Sequence, residues 1–181
     1  MPYAPRSGPL TRGGLVLLDL EAGKVVGVAV FQYNPETLVR TLSATDDHGV
    51  TDLVQVEAVY DATDRLSAGD EQARLGVAPQ LAALELVASP PPEVRRPQAV
   101  LVWGPSRVSP VRVTELVTTE EAFDRELHPI RARVAITMET LREPGPDAPP
   151  IARRLDEERR RLAELGQGSL KDLGLDEKRL F

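Results

Sequence analysis

The feature that most constrains the fold is a strict alternation of apolar and polar side chains over residues 130–138. On one face of an extended chain it places the apolar side chains of Ile130, Ala132, Val134, Ile136 and Met138. Arg131, Arg133, Ala135 and Thr137 occupy the other face. Such alternation is typical of a strand with one buried and one solvent-facing side. Since parallel sheets are covered on both faces, the pattern favours an antiparallel sheet.

Two further apolar segments precede this strand in the sequence. Residues 99–104 form a short run that stops at a glycine, and residues 108–118 interleave valine and leucine with polar side chains. Residues 119–128 are polar and are predicted to connect these strands to residues 130–138.

The first third of the chain predicts more strands, at residues 14–19, 25–32, 37–42 and 53–61. The first two are expected to form a hairpin, because Gly23 in the short turn between them accepts a positive φ. Pro35 ends the second strand because proline has no N–H to donate. In the strand at 53–61, the better core face is predicted to carry Val54, Val56, Ala58 and Tyr60.

A helix is predicted within residues 71–88, where apolar side chains recur close to helical spacing, at Leu75, Leu81, Leu84 and Ala88. Pro79 would break a long helix, so the main helix is expected to start with Pro79 in its first turn. Residues 61–70 are interpreted as a polar turn and residues 89–97 as a stiff extended linker.

The prolines of residues 144–150 predict a domain boundary. The sequence thus divides into a β domain at 1–143, a Pro-rich linker at 144–150 and a charged helical extension at 151–181. The extension carries a thin apolar stripe of Ile151, Leu155 and Leu162. The predicted fold class is mainly β with α: an antiparallel β-sandwich or barrel with one packed helix and a C-terminal helical tail.

Composition excludes several classes of function. The 28 acidic and 22 basic side chains give a net charge of -6, which argues against a nucleic-acid binder. The chain has no cysteine, so disulfides and thiolate metal sites are excluded. No apolar run reaches the roughly 20 residues of a membrane helix, and no signal-peptide pattern is present, so we expect a cytoplasmic protein without membrane insertion.

The chemistry-bearing residues do not form a recognisable active site. His48 and His128 are interpreted as surface histidines, because neither has a second histidine or a carboxylate at metal-ligand spacing. The segment 61–64 lacks the ligand density of a calcium loop, and Ser106 lies outside a nucleophile-elbow context. We therefore expect no enzyme, no metal and no cofactor.

Four segments, at residues 31–38, 56–64, 75–85 and 101–104, resemble the tube-like domain of contractile injection system tube and baseplate proteins, many of which carry LysM. This family belongs to phage-tail-like particles. The resemblance covers roughly residues 12–142 of the chain. The positions that match the family pattern, and that we interpret as structural, are Phe31, Tyr33, Asn34, Pro35, Pro79, Leu81, Leu84, Trp103 and Gly104.

The resemblance implies a fold related to phage tail tubes and a ring, typically a hexamer, in the baseplate channel. Such a ring joins the spike hub to the inner tube, starts tube assembly and can contact wedge or sheath proteins. The family has no catalytic residues to transfer. Its LysM domain is longer than the segment after Pro150, so we expect no complete LysM and doubt peptidoglycan binding.

The residues themselves also point to assembly, because an antiparallel sheet leaves edges that sister subunits can cover. Candidate subunit contacts are Arg131, Arg133, Ile151, Leu155 and Leu162. Arg131 and Arg133 could line a channel or form a ring interface, and the charged extension could equally be a solvated helix. The alternatives are an inner-tube subunit of the same particle and, from another class, a stand-alone β-sandwich binding module or enzyme.

Overall fold

The computed structural model of the chain describes residues 12–44, 50–104 and 107–141. The strands are β1 (Gly14–Asp19), β2 (Lys24–Val30), β3 (Leu38–Ala44), β4 (Val50–Asp61), β5 (Pro97–Val102), β6 (Val108–Phe123) and β7 (Pro129–Thr140). The helices are α1 (Thr63–Ser67) and α2 (Ala78–Ala88), with a 3-10 turn at Glu71–Ala73 between them.

The strands form one seven-stranded sheet in the order β2-β1-β5-β6-β7-β4-β3. Every neighbouring pair is antiparallel. The expected class, mainly β with helices and an antiparallel sheet, is confirmed. Strands β2 and β3 lie at the two ends of the sheet, and each has only one neighbour among the described strands.

One face of the sheet, here called the inner face, carries the core. The alternation in β7 is confirmed, since Ala132, Val134, Ile136 and Met138 are all buried. The expected core face of β4 is confirmed as well, because Val54, Val56, Ala58 and Tyr60 are buried in the same cluster. Helix α2 adds the buried side chains Leu81, Leu84 and Val87. Its Leu86 side chain sits over β2 so closely that a Cβ at Gly27 would lie 2.8 Å from it.

The entry to α2 depends on one glycine. Gly76 has φ +59, and a Cβ there would lie 2.0 Å from the carbonyl oxygen of Pro129. The next residue, Val77, donates its N–H to that same oxygen at 2.8 Å. Only glycine combines this left-handed backbone with such a close approach, so Gly76 joins the start of α2 to the start of β7.

The helix prediction was right about α2 and wrong about its surroundings. Pro79 lies in the first turn of α2, as expected. Leu75, however, precedes the helix and is 52% exposed, so it does not belong to the buried stripe. The segment 61–70, predicted as a polar turn, contains helix α1.

The prediction for residues 119–128 was also wrong, because β6 continues to Phe123. Its polar side chains lengthen the pairing of β6 with β7, in which Thr119 faces Arg133 and Glu121 faces Arg131. The polar composition of this part of β6 therefore reflected side chains that face solvent, and not a loop. The actual connection is residues 124–128.

Several predictions lie outside the described residues: His48, the linker at 144–150, and the extension at 151–181 with Ile151, Leu155 and Leu162. Among the residues that are described, no helix has the length and apolar character needed to cross a membrane.

Candidate interaction surface

Three of the family-pattern residues meet around Gly13. The Phe31 and Trp103 rings contact edge to face, with centroids 6.3 Å apart. The Asn34 side-chain oxygen accepts the Gly13 N–H at 2.8 Å, and Phe31 N–H donates to the Gly13 carbonyl at 2.9 Å. A Cβ at Gly13 would lie 3.2 Å from the Phe31 ring and 3.3 Å from the Trp103 ring. These contacts give Phe31, Asn34 and Trp103 a packing role.

The remaining family-pattern residues are dispersed. Leu81 and Leu84 are in the core, Pro79 is exposed at the start of α2, and Gly104 has φ +73 just after β5. Tyr33 and Pro35 belong to the connection between β2 and β3, which is here called the arch and comprises residues 31–37.

The arch is anchored to β4 by a glutamine that sequence reasoning did not single out. Gln32 donates its side-chain N–H to the Asp61 carbonyl at 2.7 Å and accepts the Asp61 N–H at 2.9 Å. The Tyr60 hydroxyl donates to the Val30 carbonyl at 3.3 Å, and burial raises the pKa of Tyr60 to about 12. Together these contacts hold the arch beside the sheet.

Between the arch and the other face of the sheet, here called the outer face, lies a groove of about 690 Å³. Residues 33–37 of the arch form one wall. The other lining residues are Val39, Gln55, Val56, Glu57, Val59, Ala135, Ile136 and Thr137. The lining mixes apolar surface with two carboxylates and contains no lysine, arginine or histidine.

Ion pairs run along the outer face beside the groove. Arg131 contacts Asp61 at 2.6 Å and Arg133 contacts Glu121 at 3.1 Å. Hydrogen bonds from Thr63, followed by those from Arg131, hold the pKa of Asp61 below its ordinary value. The candidate contact residues Arg131 and Arg133 are thus both paired within their own chain.

A third ion pair, Arg112 with Glu139, continues the same face. After these pairs are formed, three outer-face or arch carboxylates remain without an ion-pair partner among the described residues: Glu36, Glu57 and Glu115. Gln55 donates to Thr137 at 3.5 Å and Thr137 to Glu115 at 3.4 Å, which extends the polar floor of the groove towards β6. The surface around the groove is therefore acidic.

The two edge strands carry exposed apolar side chains. On β2 these are Val25, Val28 and Val30, and on β3 they are Val39 and Leu42. Beyond Lys24 at its start, β2 has no charged residue. Uncharged, valine-rich edges are typical of surfaces that pair with another chain.

An ion pair at β3 was not predicted from the sequence. Asp52 is almost fully buried, and both its oxygens accept from the Arg40 guanidinium, at 2.8 and 2.6 Å. Arg40 and Asp52 lie in different strands, and Arg40 is opposite Val54 in the register of β3 and β4. No local pattern in the sequence therefore indicates that the two side chains meet.

The expectation for His128 needs correction, because two carboxylates do lie near it. Asp124, Glu126 and His128 place ligand atoms within 4.8 Å of one another in the β6–β7 connection. Asp124 accepts the N–H groups of Glu126 and His128, each at 2.8 Å, and its second oxygen lies 2.9 Å from His128 Nδ1. These hydrogen bonds lower the pKa of Asp124. The geometry is that of a carboxylate that closes a tight turn.

Comparison with protein-family models and with curated proteins finds no match to this chain. The sheet edges, the outer face and the sequence motifs are therefore the features of this chain that bear on its function.

Proposed function

We propose that this chain is a structural ring component of a contractile, phage-tail-like injection system. In this role it would form a ring in the baseplate, a hexamer as the resemblance implies, and connect the spike hub to the inner tube. The tail-tube type of fold for residues 12–141 belongs to the same proposal. Assembly of the particle would take place in the cytoplasm.

The observation that carries the proposal is the pair of open edges at opposite ends of the sheet. Within the described part of the chain, β2 and β3 each have a strand neighbour on one side only, and both carry exposed apolar side chains. Pairing different edges of successive copies is a heterologous contact, and such contacts generate a closed ring when the rotation closes. An edge that pairs in this way no longer promotes uncontrolled aggregation.

The motif residues give further support. Phe31, Asn34 and Trp103 hold the arch and the end of β5 together around Gly13. This packing role agrees with the structural role that the family resemblance implies for them.

The test is the oligomeric state of the full chain, followed by its presence in particles. We expect sedimentation velocity to detect a discrete ring-sized species, alone or with spike and tube proteins. Deleting the gene in the native host should leave particles without assembled tubes in electron micrographs. A chain that stays monomeric at high concentration and is missing from purified particles would refute the proposal.

An inner-tube subunit of the same particle is the related alternative. Copy number separates the two, because an adaptor supplies few rings per particle and a tube subunit supplies many. From a different class, the groove beside the arch favours a binding module, since concave surfaces with a few convergent polar groups are the usual binding sites.

A further inference from the structure

We propose that the groove beside the arch binds an extended, positively charged peptide segment of a partner protein. The bound segment would alternate lysine or arginine with apolar side chains. This inference goes beyond the ring proposal and does not require that the chain forms a ring.

The shape of the groove suits a peptide in extended conformation. It lies between the arch and the outer face of β4 and β7, and its volume of about 690 Å³ is in the usual range for binding sites. Its base includes Ala135, a small exposed side chain that leaves room above the strands. Gln55 and Thr137 offer side-chain hydrogen-bonding groups on the same surface.

The charges around the groove favour a cationic occupant. Glu36 and Glu57 line it, and neither forms an ion pair within the described residues. Glu115 lies next to it, accepts a hydrogen bond from Thr137 at 3.4 Å, and has no ion pair among the residues that the structure describes. The nearby arginines are engaged, because Arg131 and Arg133 each contact a carboxylate of their own chain. An anionic ligand or a nucleic acid would therefore meet uncompensated repulsion.

Apolar contacts would provide the rest of the binding energy. Tyr33, Pro35, Val39 and Val59 line the groove, and Tyr33 and Val39 are about half exposed. Tyrosine at the rim of a groove is a common anchor for a partner, because it combines a large apolar ring with a polar end. In an extended segment alternate side chains point the same way, so apolar and cationic side chains can occupy separate positions.

The probe is a fluorescein-labelled peptide of about seven residues that alternates valine with lysine, a length typical of extended recognition segments. Fluorescence anisotropy with the full chain is expected to show saturable binding that weakens as salt increases. The same peptide with glutamate in place of lysine is expected not to bind. Equal binding of the two peptides, or no saturable binding of the lysine peptide, would overturn the proposal.

Matched variants distinguish binding to the groove carboxylates from nonspecific attraction of the peptide to the net negative charge of the chain. Glu57→Gln and Glu36→Gln are each expected to weaken binding about threefold, the effect of losing one exposed charge contact. Glu71→Gln removes the same charge at an exposed position outside the groove lining and should leave affinity unchanged. An equal loss in Glu71→Gln would mean that only net charge matters and would overturn the proposal.

A blocking variant tests the position of the peptide independently. Ala135→Lys places a cationic side chain on the base of the groove, and it should reduce affinity at least tenfold by filling space and reversing the charge. Circular dichroism and the unfolding midpoint verify that this variant is folded. Unchanged affinity in a folded Ala135→Lys protein would place the peptide elsewhere and refute the inference. Sedimentation of the same samples reports on the ring separately.

Discussion

The two faces of the sheet use different interactions. The inner face is a continuous apolar cluster in which α2, β1, β4 and β7 bury leucine, valine and aromatic side chains. Over β4, β6 and β7 the outer face is built from ion pairs, a groove, and carboxylates that have no ion pair in the described part of the chain. Apolar burial dominates folding free energy, while exposed ion pairs contribute little. The inner face should therefore control stability, and the outer face should control partners.

The largest expected effect is on the inner face, at Leu84. This side chain is 1% exposed within the core, and Leu84→Ala should lower the free energy of unfolding by about 2–5 kcal/mol. Leu75→Ala is the matched control, because it removes the same atoms from a side chain that is 52% exposed. It should cost less than about 1 kcal/mol. Urea denaturation of both variants measures the difference, and similar losses would contradict the assignment of the core.

The next effect concerns the backbone that places α2 over the inner face. Gly76→Ala should destabilise the chain by about 2–4 kcal/mol, because the left-handed conformation is unfavourable and the new Cβ would collide with Pro129. Gly23 has a similar φ of +63 but no atom within 4 Å of an added Cβ.

Gly23→Ala is therefore the control for Gly76→Ala and should cost only about 1 kcal/mol, the backbone term alone. Thermal unfolding of the two variants separates the steric part from the conformational part. Equal shifts in the unfolding midpoint would mean that the contact between Gly76 and Pro129 contributes nothing.

The inner face was largely predictable from the sequence, because its signal is local. The alternation in β7 and the core face of β4 follow from the two-residue period of a strand, and both were confirmed. The sequence-based predictions were wrong where the residue composition of a segment does not match the secondary structure that it adopts. Leu75 fits a helical stripe but precedes the helix, and the polar end of β6 looks like a loop because both its faces meet solvent.

The outer face was only partly predictable. The sequence indicated that Arg131 and Arg133 are solvent-facing, but not that Asp61 and Glu121 are their partners. Those pairs depend on the order and register of β4, β7 and β6. The groove likewise depends on Gln32, which anchors the arch to Asp61 across 29 positions of sequence. Long-range pairing of this kind leaves no periodic pattern in the chain.

A smaller effect is expected at the ion pair of Asp61 and Arg131. Since the folded chain lowers the pKa of Asp61, this carboxylate stabilises the fold above its unfolded pKa of about 3.9. The contribution is lost as the pH falls through the lower folded pKa. Asp61→Asn should therefore cost less than about 1 kcal/mol at neutral pH, and its difference from the parent chain should shrink in acid.

A double-mutant cycle isolates this pair from the hydrogen bonds that Thr63 makes to Asp61. Denaturation of Asp61→Asn, Arg131→Gln and the double variant at neutral pH should give a coupling free energy below about 1 kcal/mol. A coupling well above that value would show that the outer face shares in the folding core, which would remove the contrast between the faces.

The smallest effect on stability is expected at Arg133, where the comparison between the faces is sharpest. Arg133 and Glu121 form an exposed pair, so Arg133→Gln should change the free energy of unfolding by no more than about 0.5 kcal/mol. Arg125→Gln is the matched control, because Arg125 is exposed in the β6–β7 connection and has no ion pair within the described residues.

If the outer face contacts a sister chain, sedimentation should show weaker assembly for Arg133→Gln and unchanged assembly for Arg125→Gln. In that case Arg133→Gln changes assembly but not the free energy of unfolding, because the Arg133 side chain contributes little to the fold and contributes directly to the contact between chains. Unchanged assembly in both variants would remove Arg133 from the interface, and a large loss of stability would place it in the folding core.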